Sequence, residues 1–167
     1  MNLKDQLQEI TNNSSQFNIS PIVVERAIVP VLVKFAKPLQ NVYYAWQNKS
    51  DNEEEQGELI ITVLENRANP KLTKKVIYAF ATIAIAGNFL AVDPHTVDIV
   101  EIPVTHLLFH ILGTPPEKLE SIIFVKKTGN NLQFQEVKCD EINKAVQEKI
   151  KKLKPLLESF DPNTRLV

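Results

Sequence analysis

From residue 76 to residue 92 the chain carries no charged side chain (VIYAFATIAIAGNFLAV). Nothing else in the sequence restricts the fold as much, because a run of this kind must leave water. A membrane or a protein interior can take it. A membrane-spanning helix needs ~20 apolar residues, with ~17 as the lower bound. This run sits at that bound and is diluted by Thr82, Gly87, Asn88 and several alanines. Alanine contributes little to membrane insertion. The expectation is therefore a buried segment and no membrane span. Leu72, Val76, Phe80, Ile83 and Leu90 recur at helical spacing. Asn69-Pro70 supplies a cap and a first-turn proline. Together they predict a long central helix over 70–91.

The whole chain has the composition such an interior needs. Of 167 residues, 44% are hydrophobic and 23% charged, with 19 Lys+Arg against 20 Asp+Glu. That balance excludes wholesale disorder and argues against nucleic acid as the partner. A single cysteine, Cys139, excludes a disulfide scaffold and points to a reducing compartment. The polar start Met1-Asn2-Leu3-Lys4-Asp5 has no secretory apolar core, so the expected location is cytoplasmic. The length predicts one domain over 1–167. It has a short helix and loop over 1–19, a core over 20–160 and a tail over 161–167.

Leu3, Leu7 and Ile10 space out an amphipathic N-terminal helix, which Asn12-Asn13-Ser14-Ser15 ends. Ser20-Pro21 opens a mostly apolar stretch over 22–37. Its polar exceptions include Arg26, Lys34 and Lys37, which share one helical face with Pro30, and this predicts a helix bent at Pro30. Two short strands broken at that proline are the competing assignment. The stretches 42–47 and 58–65 are rich in strand formers, and an acidic loop over 51–58 joins them, so a hairpin is expected. A further strand is predicted over 96–104, with Pro103 near its end. A short helix follows over 106–112, capped by Thr105. Thr128-Gly129-Asn130 between 121–127 and 131–138 is a second hairpin signal. Asp140 then caps a helix whose stripe is Ile142, Val146, Ile150, Leu153 and Leu157, with Pro155 kinking or interrupting it. The sum is an α+β fold: an antiparallel sheet of two hairpins plus one strand, packed against the long central helix and the C-terminal helix.

No catalytic pattern emerges from this order. Isolated glycines at 57, 87, 113 and 129 exclude a dinucleotide fingerprint or a phosphate loop. No cofactor is implied. Cys139 sits where a helix start lowers a thiol pKa, but Asp140 and Glu141 oppose that. His106 and His110 are four apart, the spacing of a helical zinc pair, and His95 or Glu101 could complete a site. The glutamate that serves as general base after the first histidine is missing. The carboxylates at Asp51, Glu53, Glu54 and Glu55 form a solvated loop, not a calcium pattern.

Binding offers two further candidates. Tyr44 and Trp46 share one strand face, while Tyr43 takes the other. Tyr44 and Trp46 are core residues or, if exposed, a partner-binding pair. Lys144, Lys151 and Lys152 on the last helix are the nucleic-acid candidates. The function expected is a non-enzymatic protein-interaction module: an adaptor, a chaperone-like factor or a small subunit. Its partner is another protein or a second copy in a homodimer. The alternatives are an enzyme using His106 and His110, and a nucleic-acid-complex subunit.

Overall fold

The computed structural model describes residues 2–49, 57–89 and 95–160, with side chains through residue 155. Its class is α+β. In chain order the elements begin with α1 (Leu3–Asn12), α2 (21–36), β1 (Val42–Asn48), β2 (Thr62–Glu65) and β3 (Thr73–Phe80). There follow α3 (Ile83–Asn88), β4 (Val97–Pro103), α4 (Val104–Leu112), β5 (Ser121–Thr128), β6 (Asn131–Lys138) and α5 (Cys139–Phe160). They gather into two compact units.

The first unit is helical and comprises Met1–Asn41, Pro103–Gly113 and Asp140–Val167. Asn2 caps α1, its side chain accepting the Asp5 N–H at 2.9 Å. Asn18, in the left-handed region at φ 54, ends the 3-10 turn Ser14–Phe17 that follows. The stretch from 21 is the predicted helix, and Arg26, Pro30, Lys34 and Lys37 line its exposed side. Its bend has a definite form. Val24–Ile28 is π-helical, and the Val29 N–H reaches back five residues to the Val24 carbonyl. Proline has no N–H and its ring clashes with the carbonyl four residues earlier. A widened turn just before Pro30 accommodates both. Helix α4 packs on α1 and on the second half of α2.

Where α4 meets α1, Gln6 is fully buried. Pro103 precedes α4 and offers no side-chain cap. The Gln6 Oε1 takes over that duty, accepting the Thr105 N–H at 3.1 Å and its hydroxyl at 2.8 Å. The Gln6 Nε2 donates to the Asn41 carbonyl at 2.9 Å. Thr105 is thus inside the helix it was expected to cap, and a residue ninety-nine positions away caps it instead.

The second unit, Val42–Ile102 with Thr114–Cys139, holds a mixed sheet in the order β4-β1-β3-β5-β6, with β2 also on β3. Here the expected long central helix over 70–91 is overturned. Residues 73–80 are the strand β3, and only Ile83–Asn88 is helical. All of 76–80 are buried. A strand covered on both faces reads as a continuous apolar run without alternation, so helical spacing at 76, 80 and 83 was coincidence. Thr73, Val76, Ile77, Tyr78 and Phe80 are residues that fit a pleated sheet. Thr82 starts the short helix, its hydroxyl accepting the Ile85 N–H at 3.2 Å.

The wholly antiparallel sheet is corrected with it. Residues 76–80 pair in parallel with 121–125, while β2 and β1 lie antiparallel on the other edge of β3. The first hairpin forms in part. Residues 58–60 run along β1, with Ile60 N–H donating to Trp46 O at 3.0 Å and Asn48 N–H to Glu58 O at 2.9 Å. The chain then leaves β1, and 62–65 pairs with β3. Gly57 makes the approach to β1 possible: a Cβ there would lie 1.8 Å from the Asn48 carbonyl oxygen. Residues 51–56 of the acidic loop lie outside the described residues.

The second hairpin forms as expected. Thr128 faces Asn131 across a two-residue turn. Gly129 takes φ +63 at its first central position, where a type II′ turn calls for glycine.

Candidate functional site

The sheet alternation sends Trp46, Val76, Tyr78, Phe80 and Val125 to one face, where they form a buried cluster with Ala86 of α3. Tyr44 packs against it, half-buried. Tyr43 takes the opposite face and meets Phe124 edge-on at 4.7 Å between ring centroids, as the strand periodicity predicts. Trp46 is only 4% exposed, and its indole N–H donates to the Ala86 carbonyl at 3.0 Å. Enclosed and satisfied in this way, it offers a partner neither area nor a hydrogen bond. Tyr44 and Trp46 are packing residues of this face.

The same face leads outward to residues the sequence did not single out. Phe89 stacks at an angle over Tyr78 and Phe80, with centroids at 4.9 and 5.1 Å, and touches Phe134 of β6 at 5.9 Å. Phe134 is 56% exposed and Leu132, two residues earlier on the same face, 41%. Buried aromatics therefore grade into an open apolar pair on β6.

That strand is the last in the sheet, paired with β5 alone among the described residues. Its backbone polarity follows from the register. In a two-residue hairpin the residues flanking the turn are hydrogen-bonded to each other, and the pattern then alternates. Asn131, Gln133, Gln135 and Val137 point their N–H and C=O at β5. Cys139 continues the series, its N–H donating to Glu120 O at 2.9 Å. Leu132, Phe134 and Glu136 point theirs away from the sheet. The edge carries no proline, and its ladder with β5 runs unbroken from Asn131 to Lys138. Proline and a β-bulge are two of the devices that usually blunt an edge, and this strand has neither.

The remaining candidates are scattered. His106 Nε2 lies 4.0 Å from Glu9 Oε2, too far for a hydrogen bond. His110 stands one turn on, and partial burial pushes its pKa below the ordinary histidine value. His95 and Glu101 belong to the other unit. Among the described residues no group of three or more His, Cys, Asp or Glu could hold a metal ion. Cys139 is buried, and burial, with the Glu120 charge adding to it, pushes its thiol pKa up to about 11. That is the reverse of an activated thiol. Lys144 pairs with Asp140 one turn back at 3.0 Å, and Lys151 and Lys152 point to solvent on the exposed side of α5. No helix among the described residues is long and apolar enough to cross a membrane.

The β6 edge is therefore the feature that carries a functional reading. Its side-chain alternation was visible in NLQFQEVK. Its place at the end of the sheet was not, because strand order is set by pairings distant in sequence. Compared with models of protein families, with curated proteins and with solved structures, the chain matches none.

Proposed function

We propose that this protein is a non-enzymatic protein-interaction module, an adaptor or small subunit of a larger assembly, that receives a partner's strand along β6. The observation that supports this is the conjunction of an unpaired edge and an exposed apolar pair on one strand. Outward N–H and C=O groups of Leu132, Phe134 and Glu136 supply main-chain hydrogen bonds, and the Leu132 and Phe134 side chains supply apolar contact. Strand addition uses this combination: the backbone provides affinity and alternate side chains provide selection. Self-association through the same edge, in the two-fold arrangement expected from the sequence, is one form such docking takes.

The test is a comparison of what wild type and Phe134→Lys retain from an extract of the protein's own source. A lysine on an exposed edge disfavours strand addition, and at a position this open it leaves the fold intact. Proteins held by wild type and lost from the variant are expected. Identical sets from both would remove β6 as the docking edge.

A further inference from the structure

We infer that the strand β6 accepts comes from another protein, sets aliphatic side chains against Leu132 and Phe134, and carries carboxylates around them; this rests on β6 being a docking edge. The charges of the hairpin carry the inference. Lys127 lies opposite Leu132 in the β5–β6 register, and Lys138 ends β6 on the same face. Lys126, opposite Gln133, stands on the reverse face. All three are exposed, and none forms an ion pair among the described residues. The one acid on the strand, Glu136, is already held by Lys74. The edge thus presents an apolar pair flanked by uncompensated positive charge.

Charge also decides between the two kinds of occupant. Two-fold pairing of β6 with itself gathers the lysines of both copies along one seam. The only carboxylate on β6 itself is Glu136, which Lys74 already occupies. Like charges brought together across strands disfavour pairing. An acidic segment meets the same lysines with opposite charge. The strand spans eight residues, roughly 27 Å at strand rise, so a segment of eight or nine residues covers it.

The probe is a capped, fluorescently labelled nonapeptide, Glu-Thr-Thr-Thr-Ile-Glu-Val-Thr-Asp. Run antiparallel, it sets Ile against Phe134, Val against Leu132, and its acids near Lys138, Lys126 and Lys127. Its counterpart has lysine at the three acidic positions. Anisotropy titrations are made with wild type, Phe134→Lys and the double variant Lys127→Glu/Lys138→Glu, with oligomeric state followed by sedimentation velocity. Exposed ion pairs contribute a few-fold each, so the acidic peptide is expected to bind wild type about tenfold or more tightly than its counterpart. Added salt narrows that ratio. The double variant reverses the preference, and Phe134→Lys weakens both peptides.

Equal binding of the two peptides would overturn the acidic partner while leaving strand docking in place. No peptide binding, together with a dimer that Phe134→Lys dissociates, would assign the edge to a second copy. No binding by a monomer would overturn strand docking itself.

Discussion

Replacing Gln6 by leucine keeps the side chain near its original volume and strips away both polar atoms. The Thr105 N–H and hydroxyl, held at 3.1 and 2.8 Å, lose their acceptor. Asn41 O loses one donor but retains the Val104 N–H at 2.9 Å. The damage therefore concentrates on Thr105, itself fully buried at the start of α4. A buried donor left unpaired costs about 1–3 kcal/mol, and the hydroxyl adds to that. Burial of the leucine side chain offsets about 1–2 kcal/mol of the loss. The expected net loss is roughly 2–3 kcal/mol. With a urea slope near 2 kcal/mol/M, the midpoint falls by about 1–1.5 M with the slope unchanged.

Gln6→Glu sharpens the test. A protonated glutamic acid reproduces the amide, donating to Asn41 O and accepting from Thr105. The carboxylate cannot donate, and burial disfavours its charge. Its folded-state pKa must lie above the unfolded value of ~4.3. Stability is then fully present below that value and is lost as pH rises through the folded pKa. Urea midpoints read by circular dichroism should therefore separate wild type from Gln6→Glu progressively between acid and neutral pH. A Gln6→Leu stability within about 0.5 kcal/mol of wild type, or a Gln6→Glu midpoint that tracks wild type at every pH, would refute the capping role.

Three other outcomes are expected. Cys139, with its pKa pushed up to about 11, should react with a thiol reagent at pH 8 on the order of a hundredfold more slowly than an exposed thiol. Folding stability should decline as pH rises above the unfolded cysteine value, because only the unfolded chain ionises there readily; labelling at the free-thiol rate would contradict both. The Ser121 hydroxyl is buried with no hydrogen-bond partner among the described residues, so Ser121→Ala should stabilise by about 1 kcal/mol. Calorimetry would show the melting point rising by roughly 2–4 °C, and a fall would mean the hydroxyl has a role. Along β6, hydrogen exchange by NMR should alternate, slow at Gln133, Gln135 and Val137 and fast at Leu132, Phe134 and Glu136; uniform protection would mean the edge is already covered.

Residues that settle their structure locally were legible. The second hairpin follows from Gly129-Asn130 between two strand-like runs, and α5 from its stripe at 142, 146, 150 and 153. The helix over 22–37 followed from Arg26, Pro30, Lys34 and Lys37 falling on one side. What failed was the segment decided by its surroundings. Residues 76–80 have no periodicity to read because both faces are buried, and their parallel partner lies some forty-five positions away. β-Branched and aromatic content was the available signal, and the apparent helical stripe outweighed it. The candidate site was half visible in the same way. Leu132 and Phe134 alternate in the sequence, but an edge exists only once the other strands have taken their places.

Trp46 is the chain's only tryptophan, and it lies wholly within the sheet unit, boxed in by Tyr78, Phe80 and Phe89. Its emission is therefore a private optical channel for that unit, blue-shifted while the aromatic box stays closed and red-shifted when water enters. Ellipticity in the far ultraviolet is dominated by helices, most of which belong to the other unit. One sample heated or titrated once, and watched in both channels, reports the opening of the sheet and the melting of the helices separately. A label does not need to be engineered to learn whether the two come apart together.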